Sequence, residues 1–487
     1  MSKFSRRRFL SDSAIAAAVL SAGPMMATRA FAKEKTAKKV SANDTLNLMV
    51  CGTNGRGKWH IKEFGKKPGC KIKYICDVDE AAGNKAIKMI EKKFGYKPKF
   101  VRDMRDVLDD SDLHIVSVAT PNHWHALCAI WAMQAGKDVY LEKPVSHNVM
   151  EGQSLVATAK KYGRVCQTGT QCRSLKGSID AIKYVQDGKL GEVKFARGLC
   201  YKPRRSIGPK GIYEPPKTVD YNLWVGPAQM QKVTRPRFHY DWHWQYHWGN
   251  GDMGNQGPHQ MDLVRWGLDV DSLSENVISY GGRFGYVDAG DVANTQVAIH
   301  TIGDKTIVFE VRGLDTDPFM KSKIGAIFYG TDGIVVTTAY TKAYAMDNNG
   351  KIFRRFEGGG DHVQNFIDAV RAQDPKILNA EVREGHLSAA LAHTGTISYR
   401  LGQKMPITEV KKEIEKFGGH DKNVETLDRT IAHLKKNKVD LSKTQMQLGP
   451  ALKMDTKTET FTNNDEANTM LTRKYREGFV VPKPENV

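Results

Sequence analysis

The sequence has few cysteines and no long apolar run. Its seven cysteines all lie within the first 200 residues, and none forms a CxxC pair. We therefore expect buried free thiols, not a disulfide framework or a cysteine-rich zinc site. After residue 32, no stretch approaches the roughly 18 consecutive apolar residues that a membrane-spanning helix needs. We predict no stable membrane insertion.

Acidic residues are outnumbered by basic ones, 54 against 73, and the formal net charge is +19. A basic balance can reflect binding to nucleic acid. Here the lysines are spread along the chain instead of forming one arm, and no nucleic-acid-binding motif is present. We predict no nucleic-acid partner.

The first residues show the three parts of an export signal. A twin-arginine pattern, Ser5 to Leu10, precedes a mildly apolar run and the small-residue exit Ala30-Phe31-Ala32. This order predicts a signal for the twin-arginine (Tat) route over residues 1–32, then a polar linker over 33–44. A basic amphipathic start is the alternative interpretation. Export would place the protein in the periplasm.

A glycine-rich turn follows the first predicted strand, 45–50. Such a turn lets backbone amides approach a pyrophosphate at the start of a helix, although a purely structural turn is the alternative. Asn54 stands where the common fingerprint has its second glycine. The next strand, 71–76, delivers Asp77, whose carboxylate can bind ribose hydroxyls and repel a 2′-phosphate, which favours NAD over NADP. The predicted cofactor residues of the turn are Gly52, Asn54, Gly55, Arg56 and Gly57.

Two further buried strands, 114–119 and 138–141, end in polar residues. The carboxyl ends of parallel strands share one crevice, so these residues should line the same pocket. Lys143 beside Glu142 can exchange a proton with a substrate hydroxyl there, whereas a surface salt bridge is the alternative. The predicted cofactor residues at these strand ends are Thr120, Pro121, Asn122, His125, Glu142 and Lys143.

The second half of the chain changes character. Short strands joined by tight turns follow a helix at 175–187, and this pattern predicts a mostly antiparallel sheet. The predicted strands are 193–201, 277–284, 295–302, 305–312, 326–330 and 333–338. Two helices, 362–372 and 383–402, come after them. The lysine-rich remainder shows one helix-like segment, 424–435, and either packs back on the domains or reaches a neighbouring subunit.

From about residue 46 to 402 the chain resembles the Gfo/Idh/MocA oxidoreductases. The resemblance rests on the turn at Gly52, on Asp77, on the sequence TPNHWH from Thr120, on Glu142-Lys143-Pro144 and on the segment around His259. It implies an α/β fold: a Rossmann NAD-binding domain over 45–170, an α+β domain with an open, mostly antiparallel sheet over 171–402, and an extension over 403–487. It also implies a substrate-side lysine at 143, a cis Lys143–Pro144 bond, and a dimer or tetramer formed through the outer face of the second sheet.

Residues 240–248 form the densest aromatic and histidine segment. Aromatic rings stack on sugar rings while polar neighbours select hydroxyls, so Trp242 and His243 are predicted to bind a carbohydrate. A core cluster at a domain interface is the alternative. His239, His243 and His247 recur every four residues, but the surrounding aromatics and glycines do not favour a helix. We therefore predict no metal site.

The resemblance assigns proton transfer to His259 together with Lys143. In the related dehydrogenases an aspartate stands four residues before this histidine, whereas this chain has Asn255. An amide orients a hydroxyl but cannot accept its proton, so Lys143 and His259 would share the acid-base work unless Asp252 or Asp262 substitutes. Asp262, at the start of a helix predicted over 260–268, is expected to bind substrate, to cap the helix or to orient His259.

Two reactions use these residues. The first is NAD-dependent oxidation of a sugar, a cyclic polyol or a glycoside by hydride transfer at a ring carbinol carbon. The second is glycoside hydrolysis through transient oxidation, elimination of the aglycone, addition of water and re-reduction. A non-catalytic sugar-binding protein that kept the fold is the third possibility.

Overall fold

The structure is a computed structural model, and it describes residues 44–487. The predicted signal peptide and all but the last residue of the predicted linker lie outside the described residues. Within residues 44–487, no helix combines the length and apolar character that crossing a bilayer requires. All seven cysteines are free, and six of them are buried, as the sequence indicated.

The first sheet has six parallel strands in the order β3-β2-β1-β4-β5-β6. Its strands are β1 (Leu46–Cys51), β2 (Cys70–Cys76), β3 (Lys99–Val101), β4 (Ile115–Val118), β5 (Asp138–Leu141) and β6 (Cys166–Thr168). Helices α1 (Gly57–Gly65), α2 (Glu80–Phe94), α3 (Asn122–Gln134) and α4 (Val149–Tyr162) connect them. Strands β1, β4 and β5 are almost wholly buried because helices cover both faces. The strand order reverses between β1 and β4, where ligands of such sheets bind.

The second sheet has twelve strands, and all its pairings are antiparallel except that of β7 with β10. Its main strands are β7 (Val193–Tyr201), β8 (Asn276–Gly282), β9 (Thr295–Ile302), β10 (Lys305–Arg312), β11 (Ile324–Gly330), β12 (Ile334–Ala339), β13 (Lys342–Met346) and β14 (Ile352–Glu357). The helices of this half are α5 (Lys176–Gln186), α6 (Tyr221–Val225), α7 (Gly251–Gly267), α8 (His362–Ala372) and α9 (Val382–Arg400). Together the two sheets confirm the predicted α/β fold class.

Both faces of the second sheet are covered. One face packs against α5, α7 and α9. The other packs against α10 (Ile407–Phe417) and α11 (Lys422–Lys436), which follow β15 (Gln403–Met405). The sequence indicated only α11, because α10 buries just Val410 and Ile414 among lysines and glutamates. A dimer or tetramer stays a prediction, and it would need a surface other than the part of the sheet beneath these helices.

The end of the chain packs back on both halves. Strands β16 (Met446–Leu448) and β17 (Leu452–Asp455) pair with β8, and β18 (Thr460–Phe461) and α12 (Asp465–Thr469) follow. Beyond them, the Phe479 ring meets Trp124 edge-on, with ring centroids 5.6 Å apart. Arg476 donates to backbone oxygens of Asn222 and Gly226 at 2.6 and 3.0 Å. The final residues therefore tie α3 to the segment that carries α6.

Candidate active site

A cleft of about 550 Å³ opens at the carboxyl ends of β1, β2, β4 and β5. The second half of the chain closes its far side with residues from α6, the 239–242 segment, α7 and the turn after β12. Its size suits a small organic ligand. Of the sixteen residues predicted to bind cofactor or substrate, most line this cleft.

Two glycines of the turn, Gly52 and Gly57, have no room for a side chain. Gly52 has φ +80°, and a Cβ there would lie 2.6 Å from the Ala119 carbonyl oxygen. Gly52, Asn54, Gly55 and Arg56 line the cleft. Asn54 does not adopt positive φ, so its departure from the fingerprint costs no strain. Gly57 does not line the cleft; a Cβ there would lie 1.9 Å from the Gly52 carbonyl oxygen, so Gly57 allows α1 to start directly behind the turn.

Asp77 lies at the end of β2 and lines the same cleft. One of its carboxylate oxygens accepts hydrogen bonds from the Thr53 amide at 2.8 Å and the Thr53 hydroxyl at 2.7 Å. The other accepts from the Asp79 amide at 3.0 Å. Burial raises the pKa of this carboxyl, against the effect of those bonds. A carboxylate offers about four acceptor positions, so one remains for a ribose hydroxyl.

The TPNHWH segment forms the wall between Asp77 and the lysine. Thr120, Pro121, Asn122 and His125 all line the cleft. The ring nitrogens of His125 lie 2.6 Å from the Pro144 carbonyl oxygen and 2.8 Å from that of Thr120. His125 thus joins the end of β4 to the turn after β5.

Glu142 anchors the turn that carries Lys143. Arg56 Nε donates to its carboxylate at 2.6 Å, and His60 Nε2 lies 3.2 Å from the same oxygen. Burial alone would raise the pKa of Glu142, but Arg56 and His60 hold it well below its ordinary value. Gly169 leaves room for this carboxylate, since a Cβ there would lie 2.9 Å from it. The Lys143–Pro144 bond is cis, as predicted.

Lys143 reaches across the cleft. Its Nζ donates to the backbone oxygen of Asn255, on α7, at 2.8 Å. Burial lowers the pKa of Lys143, and the nearby negative charge of Glu142 opposes this only in part. A lysine with a lowered pKa is more often a neutral amine, which can accept a proton.

Helix α7 begins nine residues before the predicted start. Gly251, Gly254 and Gly257 had argued against a helix, but close packing requires them: a Cβ at Gly254 would lie 2.4 Å from the Asn250 side chain. Asn255 and His259 therefore sit one helical turn apart, and both line the cleft. Burial, and then the charge of Lys143, lower the pKa of His259 well below its ordinary value. His259 is thus a neutral imidazole at neutral pH.

Two predicted substrate residues do not line the cleft. Asp262 is fully buried, where its carboxylate pairs with Arg173 at 2.9 Å and accepts from the Ser388 hydroxyl at 3.1 Å. It holds α7 against its neighbours. His243 is buried with its Nδ1 near the Tyr240 carbonyl oxygen, because a short 3-10 helix, Asp241–Trp244, turns it inward. Trp242 does line the cleft.

Several cleft residues carried no recognisable motif. Tyr340 follows β12 and packs on His259, with ring centroids 5.1 Å apart. Leu223 and Trp224 come from α6, and His239 Nε2 lies 2.9 Å from an Asp79 oxygen. Only tertiary structure brings these residues to the cleft, although the aromatic richness of 238–248 was a partial signal.

The cleft walls carry buried polar atoms without protein partners. Within residues 44–487 these include Arg56 Nη2, Thr120 Oγ1, Asn122 Nδ2 and His259 Nδ1. Buried polar groups are normally hydrogen-bonded, so a polar ligand would satisfy them. Together with the Gly52 turn and Asp77, they fit a dinucleotide. Within residues 44–487, the cleft included, no three His, Cys, Asp or Glu side chains are grouped to hold a metal ion.

A second cavity, of about 780 Å³, lies between α10, the edge of β8 and the segment 448–466. Its lining mixes apolar residues with Glu413, Lys416, Lys453 and Glu466. It is larger, but it has no histidine, no glycine turn at a helix start and no residue of the first sheet. The chemistry therefore belongs to the smaller cleft.

Comparison with known proteins gives the same assignment. Residues 46–170 match the family description "Oxidoreductase family, NAD-binding Rossmann fold", and residues 204–431 match "Oxidoreductase family, C-terminal alpha/beta domain". Among solved structures, the WlbA dehydrogenase from Bordetella pertussis, in complex with NADH and UDP-GlcNAcA, is 19% identical with a TM-score of 0.53. The match covers 72% of this chain and 96% of that one. Levoglucosan dehydrogenase, in complex with NADH and levoglucosan, is 19% identical with a TM-score of 0.54 and covers 72% and 95%. These likenesses show the shared fold.

Relatives by sequence carry a glycosidase name. A "Glycosyl hydrolase family 109 protein" of Saccharopolyspora erythraea is 32% identical over 216 residues, 42% of this chain and 47% of the relative. An "Alpha-N-acetylgalactosaminidase" of Shewanella oneidensis is 27% identical over 208 residues, 40% and 45% of the two chains. The chain thus spans somewhat less than half the length of the curated relatives it matches. The two family matches, which together cover most of the chain, show that it belongs to the Gfo/Idh/MocA family of NAD-binding oxidoreductases.

Proposed function

We propose that the protein is an exported NAD-dependent oxidoreductase that acts on a sugar, a cyclic polyol or a glycoside. The observation that carries this proposal is the shared cleft, in which Lys143 and His259 lie beside the Gly52 turn and Asp77. Proton-transfer groups and a dinucleotide cradle are the two parts that alcohol oxidation requires.

The cofactor side is formed by the first sheet. The Gly52 turn and the start of α1 offer backbone amides to a pyrophosphate, and Asp77 keeps an acceptor position for a ribose hydroxyl. NAD, when bound, accepts a hydride from the carbinol carbon. The same carboxylate disfavours a 2′-phosphate, so NADP is the weaker ligand.

The proton is handled by Lys143. Burial favours its neutral amine, which accepts the hydroxyl proton as the carbon–hydrogen bond breaks. Its bond to the Asn255 carbonyl oxygen fixes the position of the amine. The neutral His259 imidazole hydrogen-bonds the same hydroxyl or its neighbour. The Asn255 amide orients the substrate without titrating, since an amide cannot accept the proton.

Aromatic groups provide the sugar surface. Trp242, Tyr240 and Tyr340 line the cleft, and their faces suit the apolar face of a pyranose ring. This supports a carbohydrate over a linear alcohol.

A second candidate is an NAD-dependent glycoside hydrolase that oxidises, eliminates, hydrates and reduces on one bound cofactor. The glycosidase names of its relatives favour it. The position of α6 over the cleft also favours it. Arg476, near the end of the chain, holds α6 there by hydrogen bonds to the backbone oxygens of Asn222 and Gly226. Such cover would slow loss of the nucleotide between half-reactions.

One experiment separates the candidates. Nucleotide is released from the purified protein and identified, and its near-ultraviolet absorbance is then followed in intact protein as a panel of glycosides is added. Lasting reduction supports the dehydrogenase, whereas release of free sugar without lasting reduction supports the hydrolase. A protein that carries no nucleotide and binds none would contradict both.

A further inference from the structure

An aromatic side chain from the second half of the chain stands at the mouth of the cleft. Tyr240 lines the cleft and is 58% exposed. Within residues 44–487, the other exposed lining residues, Asn54, Gly55 and Arg102, follow strands of the first sheet and belong to the cofactor side. A single exposed aromatic residue needs no explanation by itself. What needs one is the way in which Tyr240 is held.

The backbone at Tyr240 is strained. Its φ is +65° and its ψ is −46°. The Asp241 amide donates to the His239 carbonyl oxygen at 2.8 Å, so the three residues form a γ-turn with positive φ, the rare and strained form of this turn. A glycine would adopt this conformation easily, whereas a tyrosine does not. Strain of this kind concentrates at ligand-binding and catalytic sites.

Both neighbours of Tyr240 are fixed by side-chain contacts. His239 Nε2 lies 2.9 Å from a carboxylate oxygen of Asp79, which begins helix α2 of the first half. Arg237 donates to the two carboxylate oxygens of Asp241 at 2.6 and 3.0 Å. These contacts on either side hold the strained turn in place at the rim of the cleft.

The tyrosine ring is oriented from the substrate side. Arg204 donates to the Tyr240 hydroxyl at 3.2 Å, and the same guanidinium makes two bonds of 2.8 Å to the buried Asp252 carboxylate. Asp252 lies in the first turn of α7, three residues before Asn255, whose backbone oxygen accepts from Lys143. A ring oriented before binding loses little conformational entropy when a ligand arrives.

The space inside the cleft limits what Tyr240 can bind. The cleft, of about 550 Å³, has to hold both the dinucleotide and the reacting ring of the substrate. Trp242 and Tyr340 also line it and offer aromatic surface to that ring. A substrate longer than one ring therefore has to extend past the mouth, where Tyr240 stands. An aromatic face can cover the apolar face of a sugar ring while the polar tip stays in water.

We propose that the substrate is a glycoside of two or more sugar rings, and that Tyr240 sets this specificity by stacking on the second ring at the mouth of the cleft. The inference rests on the proposed function and narrows its substrate class, since a free monosaccharide or a cyclic polyol would leave Tyr240 without a ligand. Tyr240 contributes to binding and takes no part in proton transfer.

The test measures binding to the nucleotide-bound protein, independently of turnover. For each of several hexoses, calorimetry gives the dissociation constant of the methyl glycoside and of disaccharides that carry a second hexose on either side. We expect at least one disaccharide to bind about threefold to tenfold more tightly than its methyl glycoside, as for one added aromatic contact.

Variants then assign this preference to Tyr240. Tyr240→Gly should bring the ratio of the two dissociation constants to about one, and it should fold because glycine accepts positive φ. Tyr240→Phe keeps the ring, so most of the preference should remain. Phe353→Ala is the matched control: Phe353 is 53% exposed on β14, does not line the cleft, and its loss should leave the ratio unchanged.

The inference is overturned if no disaccharide binds more tightly than its methyl glycoside, or if the preference survives in Tyr240→Gly. It is also overturned if Tyr240→Gly weakens NAD binding and leaves the ratio unchanged, because the ring would then cover the cofactor. Failure of the proposed function looks different. If the preference depends on Tyr240 but no sugar is oxidised or hydrolysed, the function falls and the binding assignment stands. If methyl glycosides and disaccharides bind and react equally well, only this inference falls.

Discussion

Replacing Lys143 by Met should stop sugar oxidation while leaving the nucleotide bound. Methionine keeps much of the apolar stem but removes the amine that lies 2.8 Å from the Asn255 carbonyl oxygen. The Gly52 turn and Asp77 lie on other strands, so nucleotide affinity should change far less than the rate.

The size of the effect follows from the role of the amine. General acid–base catalysis by one positioned group contributes about 100-fold to 10,000-fold, or roughly 3–5 kcal/mol of barrier. Folding stability should fall by no more than about 2 kcal/mol, because the lost hydrogen bond is offset by no longer burying an ammonium.

The pH dependence gives a sharper test. In the wild type the rate should rise with pH as Lys143 loses its proton, with a midpoint below the ordinary value of 10.5 because burial disfavours the ammonium. Glu142 favours the ammonium, so Glu142→Gln should move this midpoint to lower pH. The rising limb should be absent in Lys143→Met.

The assay mixes nucleotide-bound protein rapidly with a sugar that the wild type oxidises and follows nicotinamide absorbance across pH. Lys183→Met is the matched control, since Lys183 on α5 is exposed and pairs with Asp187. A folded, nucleotide-bound Lys143→Met protein that retains the rate within about threefold, or keeps the rising limb, would refute the base role.

Three other changes test separate parts of the argument. Asp77→Ala should weaken NAD binding about tenfold and reduce the preference for NAD over NADP, as nucleotide titration would measure. An unchanged ratio of the NAD and NADP dissociation constants would show that the carboxylate does not select between the two cofactors. Gly52→Ala should cost about 1–3 kcal/mol of stability, since φ is +80° and the Cβ would lie 2.6 Å from Ala119; thermal unfolding checks this, and an unaltered melting temperature would contradict it. Replacing Arg6 and Arg7 by Lys should retain the precursor in the cytoplasm, as fractionation would show; normal export would refute the twin-arginine prediction.

Local sequence identified the elements whose pattern is self-contained. Helix α8 and strands β7, β9 and β10 were predicted with their observed ends because short-range periodicity and capping residues define them. The residues on the cofactor side of the cleft were also predicted from the sequence, since Gly52, Asp77 and Thr120 each follow a strand end. The connection of parallel strands forces such residues to one edge of the sheet.

The start of helix α7 was predicted wrongly because its local sequence does not favour a helix. Its glycines and Pro258 are poor helix formers, and only packing against β7, β10 and α9 makes the helix stable. Asp262 and His243 were predicted to bind substrate because they are polar residues close in sequence to the other predicted site residues. Their partners, Arg173 and the Tyr240 carbonyl oxygen, become visible only in three dimensions.

The sequence by itself determined the kind of cofactor cradle and the lysine that faces it, because both depend on residues adjacent to strand ends. Tertiary structure alone decided which side chains meet that lysine across the cleft. Asn255 and His259 come from α7 and Tyr340 from the turn after β12, and no local pattern records that these elements converge. Their meeting follows from how the second sheet packs on α7, a long-range property of the whole fold.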